Sequence, residues 1–269
     1  MTRKIINQIN FNLIIIYLFS CNCNNQNQVS ANSQDNTNNS KTWQANKIQG
    51  DTLNPKDLKA LSTFGDTLIF FRFRKEIEDF EKNDSLFPNR KVDVVFIGSS
   101  SIRKWKSLES DMKEFNVLNR AFGGSTIPEV IYYSDICIFK HRPKKIVLYA
   151  GENDISTTKT DSLKVFNSFV YFQKLLKQEL PNTELFFISI KLSPSRTKYW
   201  TTITSINKMI EIYCNSTSNC QFIDVNKAML DNENQVRKDL YLKDNLHLNK
   251  EGYQIWSRII SNSLKMQNK

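Results

Sequence analysis

The sequence predicts an α/β protein, a three-layer α/β/α sandwich around a five-stranded parallel sheet. From about residue 60 onward, short apolar runs alternate with longer stretches of helical periodicity, which is the pattern of β–α–β units. The short runs are apolar almost throughout, as expected for strands that helices cover on both faces.

Five segments are predicted as strands because they are short, β-branched or apolar, and bounded by turn residues. They cover residues 92–97, 116–122, 145–150, 184–190 and 221–225. The first of them reads Val-Asp-Val-Val-Phe-Ile and is typical of a buried strand.

Six helices are predicted around these strands. They cover residues 73–82, 102–112, 128–139, 162–180, 201–213 and 250–264. Phe73, Ile77 and Phe80 fall on one side of the first helix, and Phe and Leu recur at similar spacing in the fourth. Pro128 suits the first turn of the third helix, and Asn249 is placed to cap the last one.

The composition excludes several classes of protein. The chain has 269 residues, of which 40% are hydrophobic and 24% charged, so it is not wholly disordered, collagen-like or a multi-span membrane protein. The net charge of +10 comes from dispersed lysines without long like-charged runs, which favours a solvated surface over nucleic-acid binding. With only His141 and His247, a histidine-rich metal site is excluded.

The N-terminus predicts export. In residues 1–20, two basic residues precede an apolar core that is too short to span a bilayer. The end of this core, Leu-Phe-Ser-Cys, resembles the lipobox of bacterial lipoproteins, in which Cys21 would become the lipidated first residue. The alternative is a plain signal peptide cut elsewhere. The lipobox resemblance implies a protein that is secreted across the inner membrane and lipid-anchored in the bacterial cell envelope, periplasmic or on the outer membrane.

The segment 21–59 is predicted to be a disordered tether, because its first half consists almost entirely of Asn, Gln and Ser. A lipid at Cys21 would then hold a folded domain, residues 60–269, near the membrane. Export also favours an oxidising compartment, in which Cys214 and Cys220 could pair, although sequence alone does not set their geometry.

Polar segments follow the predicted strands where a binding site is expected. In doubly covered parallel sheets, sites form beyond the carboxyl ends of the strands. The relevant segments are 98–102, 119–125, 151–154 and, before the last helix, 244–249. Four of the chain's seven glycines lie in the first three segments, which indicates tight turns or close approach to a ligand.

The residue types in these segments suit acyl transfer. A serine hydroxyl needs a base, and His247 is the available one, with Asp244 placed to orient its ring. The Gly124 N–H, the Asn153 amide and the N–H at the serine turn could bind the oxyanion. His141 precedes the turn at Pro143 and is predicted to be a solvated loop residue, not a base.

The four segments, in this order, resemble the sequence blocks of the SGNH (GDSL-type) hydrolase superfamily over residues 92–264. By this resemblance Ser100 is the nucleophile and also an oxyanion donor. Gly124 and Asn153 complete the oxyanion hole, and Asp244 and His247 form the D-x-x-H pair. The resemblance also implies a flavodoxin-like sheet.

The Gly-Ser-Ser-Ser run over 98–101 resembles a branch of the family that has this sequence in place of Gly-Asp-Ser-Leu. Ser99 stands where aspartate is usual, which leaves Ser101 as a second candidate for the nucleophile. The segments 149–154 and 189–196 fit the same branch.

The resemblance implies a serine esterase that needs neither a metal nor an organic cofactor. Its partner would be an acyl-ester substrate, with O-acetyl groups on carbohydrates slightly favoured. The alternatives are a lysophospholipase- or acetylhydrolase-like lipid esterase, transfer of the acyl group to another sugar, and a non-catalytic binding lipoprotein on a hydrolase fold.

Overall fold

The computed structural model describes residues 72–266. The predicted signal peptide 1–20, the lipidation site Cys21, the tether 21–59 and the predicted domain start at residue 60 lie outside the described residues. Within 72–266, none of the helices combines the length and the apolar character that crossing a membrane requires.

Five strands and nine α-helices make up the described part of the chain. The strands are β1 (Val94–Gly98), β2 (Val117–Asn119), β3 (Lys145–Tyr149), β4 (Glu184–Ile188) and β5 (Cys220–Ile223). The helices are α1 (Arg74–Leu86), α2 (Ser100–Arg103), α3 (Leu108–Asp111), α4 (Ile127–Tyr132), α5 (Ser134–Cys137), α6 (Glu152–Ser156), α7 (Ser162–Glu179), α8 (Trp200–Asn215) and α9 (Lys250–Lys265). Short 3-10 turns cover 139–141, 194–199, 227–229 and 238–240.

The sheet is parallel throughout and has the strand order β2-β1-β3-β4-β5. This is the flavodoxin-like order. Residues 94–98 of β1 pair in register with residues 145–149 of β3, which makes β1 and β3 central strands. The predicted fold class is therefore confirmed.

Alternate residues of each strand enter two separate cores, because successive side chains point to opposite faces of a sheet. On one face Val95 and Ile97 pack in a cluster with residues of α1, α4, α7 and α8. On the other face Val94 and Phe96 pack in a cluster with Trp105 and with α9. Burial on both faces explains why the strands read as uninterrupted apolar runs.

Two predicted helices are each split in the structure. The predicted helix 102–112 becomes α2 and α3, because the Asp111 carboxylate accepts hydrogen bonds from the Ser107 hydroxyl and the Trp105 indole at the junction. The predicted helix 128–139 becomes α4 and α5, and at that junction the Ser134 hydroxyl donates to the Ile131 carbonyl. Side chains that bond to nearby groups in this way compete with a continuous helical turn.

The environment of His141 differs from the prediction. Its side chain is only 11% exposed and its Nε2 lies 3.5 Å from Asp84 Oδ2, so the prediction of a solvated residue was wrong. Burial, together with the nearby Arg120 and Lys140, outweighs the attraction of Asp84 and lowers the pKa of His141 to about 4. The physical reason is that the turn at 139–141 packs against the C-terminal half of α1 through Lys140 and Asp84, 2.6 Å apart.

Cys214 and Cys220 lie side by side, at the end of α8 and the start of β5. Both are buried free thiols, and their Sγ atoms are 2.8 Å apart. The contact with Cys214, and burial after it, raises the pKa of Cys220. The proximity that pairing would require is therefore present, with both thiols free in this structure.

Candidate active site

Ser100 occupies the first position of α2, directly after β1. Gly98 makes the intervening turn possible, because its φ of 125° lies in a region that residues with a side chain rarely adopt. A β-carbon at Gly98 would lie 2.0 Å from the Tyr149 carbonyl oxygen of β3. The turn therefore places the half-buried Ser100 at the carboxyl edge of the sheet.

A continuous hydrogen-bond chain joins Ser100, His247 and Asp244. The Ser100 hydroxyl lies 2.9 Å from His247 Nε2, although the two residues are 147 positions apart in sequence. On the other side of the ring, His247 Nδ1 lies 2.6 Å from Asp244 Oδ2. Such an arrangement allows the imidazole to accept the serine proton while the carboxylate holds the ring.

The local fold of residues 242–247 presents this histidine. The second carboxylate oxygen of Asp244 accepts the backbone N–H groups of Leu246 and His247, each at 3.0 Å, which is a typical turn stabilised by an aspartate. The Leu242 N–H donates to the His247 carbonyl at 2.7 Å and closes the loop. Asn249 then caps α9 by accepting the Gly252 N–H, as predicted.

Asp244 is held in its ionised form. Partial burial works against ionisation, but the hydrogen bonds from the His247 ring and from the two backbone N–H groups outweigh it. Together they place the pKa of Asp244 well below its usual range. An ionised Asp244 keeps the proton of the neutral ring on Nδ1 and leaves Nε2 free to accept the proton of Ser100.

Of the three consecutive serines, Ser100 is the one whose hydroxyl contacts His247. Ser99 and Ser101 are only 2% and 1% exposed. Ser101 is fixed by α9, because the Tyr253 hydroxyl donates to its carbonyl at 2.8 Å and the Tyr253 ring stacks on Trp105. The geometry therefore favours Ser100 over Ser101 as the nucleophile.

The three predicted oxyanion donors follow β1, β2 and β3: Ser100 begins α2, Gly124 lies in the loop before α4, and Asn153 lies in the first turn of α6. Within residues 72–266, the backbone N–H groups of Ser100 and Gly124 donate no hydrogen bond, so they are available to a ligand. The Asn153 amide donates one hydrogen to the Ser125 carbonyl at 3.0 Å, which orients the group and leaves its second hydrogen free.

The loop that carries Gly124 is fixed by groups that the sequence analysis did not identify. Arg72 donates to the Gly124 carbonyl at 2.9 Å and pairs with Glu129. Glu129 also accepts from the Thr126 backbone and hydroxyl in a capping box at the start of α4. The Thr-x-x-Glu spacing is a recognised helix-start signal and would have indicated this contact.

Asp154 fixes the same loop from the other side. It is only 3% exposed, and its carboxylate accepts the backbone N–H of Ile127 at 3.1 Å. Burial raises the pKa of Asp154 to about 7 despite this hydrogen bond. The residue therefore links the start of α4 to α6.

An open cleft of about 600 Å³ borders Asp244. It is lined by apolar and aromatic groups (Pro194, Trp200 and Val236) and by polar groups (Ser195, Thr197, Gln235, Lys238, Asp244 and Asn245). The Ser195 N–H donates to the Asn245 carbonyl at 3.0 Å, so the loop after β4 contacts the loop that carries Asp244. Of these residues, the sequence analysis identified only Asp244 as a site residue.

The Lys104 side chain also reaches the site, with its Nζ 3.2 Å from His247 Nδ1. In the described part of the chain, no group of three or more His, Cys, Asp or Glu residues is arranged to hold a metal ion.

Comparison with known proteins identifies one family. The family model of the GDSL-like lipase/acylhydrolase family matches residues 93–255. This range contains Ser100, Gly124, Asn153, Asp244 and His247. No curated protein sequence matches the chain.

Solved structures share the fold at low sequence identity. A GDSL-like lipase from Bacteroides thetaiotaomicron is 21% identical with a TM-score of 0.60, covering 73% of this chain and 98% of its own. An acetyl xylan esterase is 19% identical with a TM-score of 0.54, covering 64% and 98%. A carbohydrate esterase of family 3 from Talaromyces cellulolyticus is 14% identical with a TM-score of 0.53, covering 64% and 96%.

Proposed function

Since this chain belongs to the GDSL-like lipase/acylhydrolase family of the SGNH superfamily and is an ester-bond hydrolase, we propose that it is a serine esterase that forms an acyl intermediate on Ser100. The observation that carries this proposal is the unbroken contact chain from the Ser100 hydroxyl through His247 to Asp244.

The geometry supports a two-step acyl transfer. His247 Nε2 removes the proton as Ser100 Oγ attacks the acyl carbon, and the negative charge that develops on the acyl oxygen is bound by the free N–H groups of Ser100, Gly124 and Asn153. His247 then returns the proton to the departing alcohol as the ester bond breaks. Water, activated by the same histidine, then attacks the acyl carbon. The bond from that carbon to Ser100 Oγ breaks, His247 returns the proton to Oγ, and the acid leaves.

We propose O-acetyl groups on carbohydrates as the substrate class. The cleft beside Asp244 supports this, because an indole face surrounded by hydroxyl and amide groups suits a sugar ring better than a long acyl chain. The fold shared with an acetyl xylan esterase and a carbohydrate esterase is compatible with it. Export and anchoring through Cys21, as the N-terminal sequence suggests, would place the enzyme among envelope glycans.

Three alternatives make different predictions. A lipid esterase would prefer lysophospholipids over acetylated sugars. An acyltransferase would move the acetyl group to a second sugar and release little free acetate. A non-catalytic binding protein would turn over neither substrate and would not react covalently at Ser100.

A fluorophosphonate probe is expected to attach to the protein at Ser100, because the neighbouring imidazole activates this hydroxyl. Peptide mass spectrometry of the labelled full-length protein measures the site. Ser100→Ala is the control and should abolish labelling, whereas Ser101→Ala should retain it. Absence of labelling in the folded wild-type protein would reject the esterase and favour a binding protein.

Trp200→Ala is expected to raise the KM for acetylated xylo-oligosaccharides about 10-fold, because it removes the aromatic face of the cleft. Its effect on p-nitrophenyl acetate should be much smaller, since that substrate has no sugar ring to pack on Trp200. Acetate release, measured in parallel with lysophosphatidylcholine hydrolysis, separates the two classes. Trp200→Phe is the matched control and should retain most of the affinity for the acetylated oligosaccharides. Equal losses on these oligosaccharides and on p-nitrophenyl acetate would contradict a sugar subsite.

A further inference from the structure

A buried ion pair that the proposed mechanism does not use lies next to Asn153, one of the proposed oxyanion donors. The Lys191 side chain is 0% exposed, and its Nζ donates to Glu152 Oε2 at 2.6 Å. Glu152 itself is only 6% exposed at its side chain. Lysine is rarely found fully buried, so its presence here requires an explanation.

Every oxygen of the Glu152 carboxylate is engaged. Besides Lys191, the Tyr149 hydroxyl donates to Oε2 at 2.9 Å and the Ser193 hydroxyl donates to Oε1 at 2.8 Å. Lys191 also donates to the Tyr149 hydroxyl at 3.0 Å. Removing two charges from water is costly, and apolar residues of similar size usually stabilise a fold as well or better. Stability alone therefore gives a poor account of this network.

The location of the network gives a better account. Glu152 immediately precedes Asn153, whose amide is a proposed oxyanion donor, and Gly151 before it has a positive φ of 112°. The carboxylate thus fixes the backbone from which the Asn153 side chain extends, while the Ser125 carbonyl holds the far end of that side chain.

The backbone on either side of Lys191, at the other end of the network, is held by side-chain hydrogen bonds. The Asn207 side chain bonds to both backbone groups of Ile190, and the Asn226 side chain accepts the N–H of Leu192. Lys191 therefore projects from a segment that is clamped by amide side chains on both sides. Ser195, farther along the same loop, contacts the loop that carries Asp244.

We propose that the Glu152–Lys191 pair is a positioning element of the esterase site, which holds the Asn153 amide where negative charge develops on the acyl oxygen. The inference rests on the proposed function of Ser100 and Asn153. Neither Glu152 nor Lys191 touches the substrate in this account, and both act through Asn153.

The test replaces both charges at once, in Glu152→Gln/Lys191→Met, so that no unpaired charge remains buried. In the full-length protein, kcat for p-nitrophenyl acetate should fall about 10- to 100-fold with KM changed less than about 3-fold, as expected when one oxyanion donor is misplaced. Phenylboronic acid, which forms a tetrahedral adduct with serine, should bind more weakly by a similar factor. The matched control, Lys208→Met/Glu211→Gln, neutralises an exposed ion pair on α8 and should leave kcat unchanged.

The route through Asn153 is tested by combining substitutions. In an Asn153→Ala background, the paired change should lower kcat by less than about 3-fold beyond the loss that Asn153→Ala itself causes. The reason is that the effects of groups that act as a unit are not additive. Should the paired variant fail to fold by circular dichroism, Ser193→Ala removes one hydrogen bond to Glu152 with the charges intact and should give a smaller loss of the same kind.

The outcomes are distinguishable. Wild-type kcat in the folded paired variant, or a full additional loss in the Asn153→Ala background, would overturn the positioning role while leaving the esterase intact. Full turnover in Ser100→Ala would reject the proposed function instead, and the positioning role with it.

Discussion

Ser100→Ala and His247→Ala are each expected to lower kcat for p-nitrophenyl acetate by at least about 10³-fold. The first removes the atom that forms the acyl intermediate, and the second removes the base 2.9 Å from it. Asp244→Asn should also lower kcat by a large factor, although by less than loss of the nucleophile does, because the Asp244 carboxylate fixes the Nδ1 proton of the ring. Steady-state kinetics of the folded variants provide the measurement.

The double variant Ser100→Ala/His247→Ala should have a kcat no lower than that of the worse single variant, since the two residues act together in one proton transfer. Ser101→Ala is the matched control, because its hydroxyl is buried next to the nucleophile and does not bond to His247. A loss of turnover in Ser101→Ala, with Ser100→Ala remaining active, would reassign the nucleophile.

Gly98→Ala is expected to destabilise the protein by at least about 3 kcal/mol, which combines the cost of a disfavoured φ with that of an overlap. The new methyl group would lie 2.0 Å from the carbonyl oxygen of Tyr149, so either β1 or β3 must shift. Because Ser100 follows two residues later, activity should fall along with the free energy of unfolding. Urea unfolding followed by tryptophan fluorescence measures the change.

Gly124→Ala is expected to show the cost of a disfavoured φ without that of an overlap. Gly124 also has a positive φ, of 86°, but a β-carbon there would have no heavy atom within 4 Å. It should therefore cost only about 1 kcal/mol, the strain alone. If Gly98→Ala proved no more destabilising than Gly124→Ala, close approach of the two strands would not be the reason for glycine at position 98.

The sequence was sufficient to predict the sheet and the proximity of Ser100, His247 and Asp244, for related physical reasons. Strands buried on both faces must be apolar along their whole length, so the five runs were visible without any structure. The site residues follow those strands directly, and the carboxyl edge of a parallel sheet brings segments such as 98–102 and 151–154 together. The choice of Ser100 among the three consecutive serines required the resemblance as well as the topology.

Other features depend on tertiary contacts that have no local signature. Nothing near Lys191 in sequence indicates that its charge is buried, because its partner Glu152 lies 39 positions away. The burial of His141 depends likewise on the distant Asp84 of α1. The split of the helix predicted at 102–112 depends on Trp105 and Asp111, whose bond a helical periodicity analysis does not register.

The docking of α9 through Tyr253 and Trp105 has a consequence for the timing of activity. The nucleophile emerges early in the chain, between strands that pair with one another, whereas its base arrives almost at the end. A nascent polypeptide that stops before the loop of residues 242–247 contains all five strands and Ser100, but it lacks His247, the acceptor for the Ser100 proton. The contact between Ser100 and His247 can therefore form only after the loop before α9 has been synthesised and packs against α2.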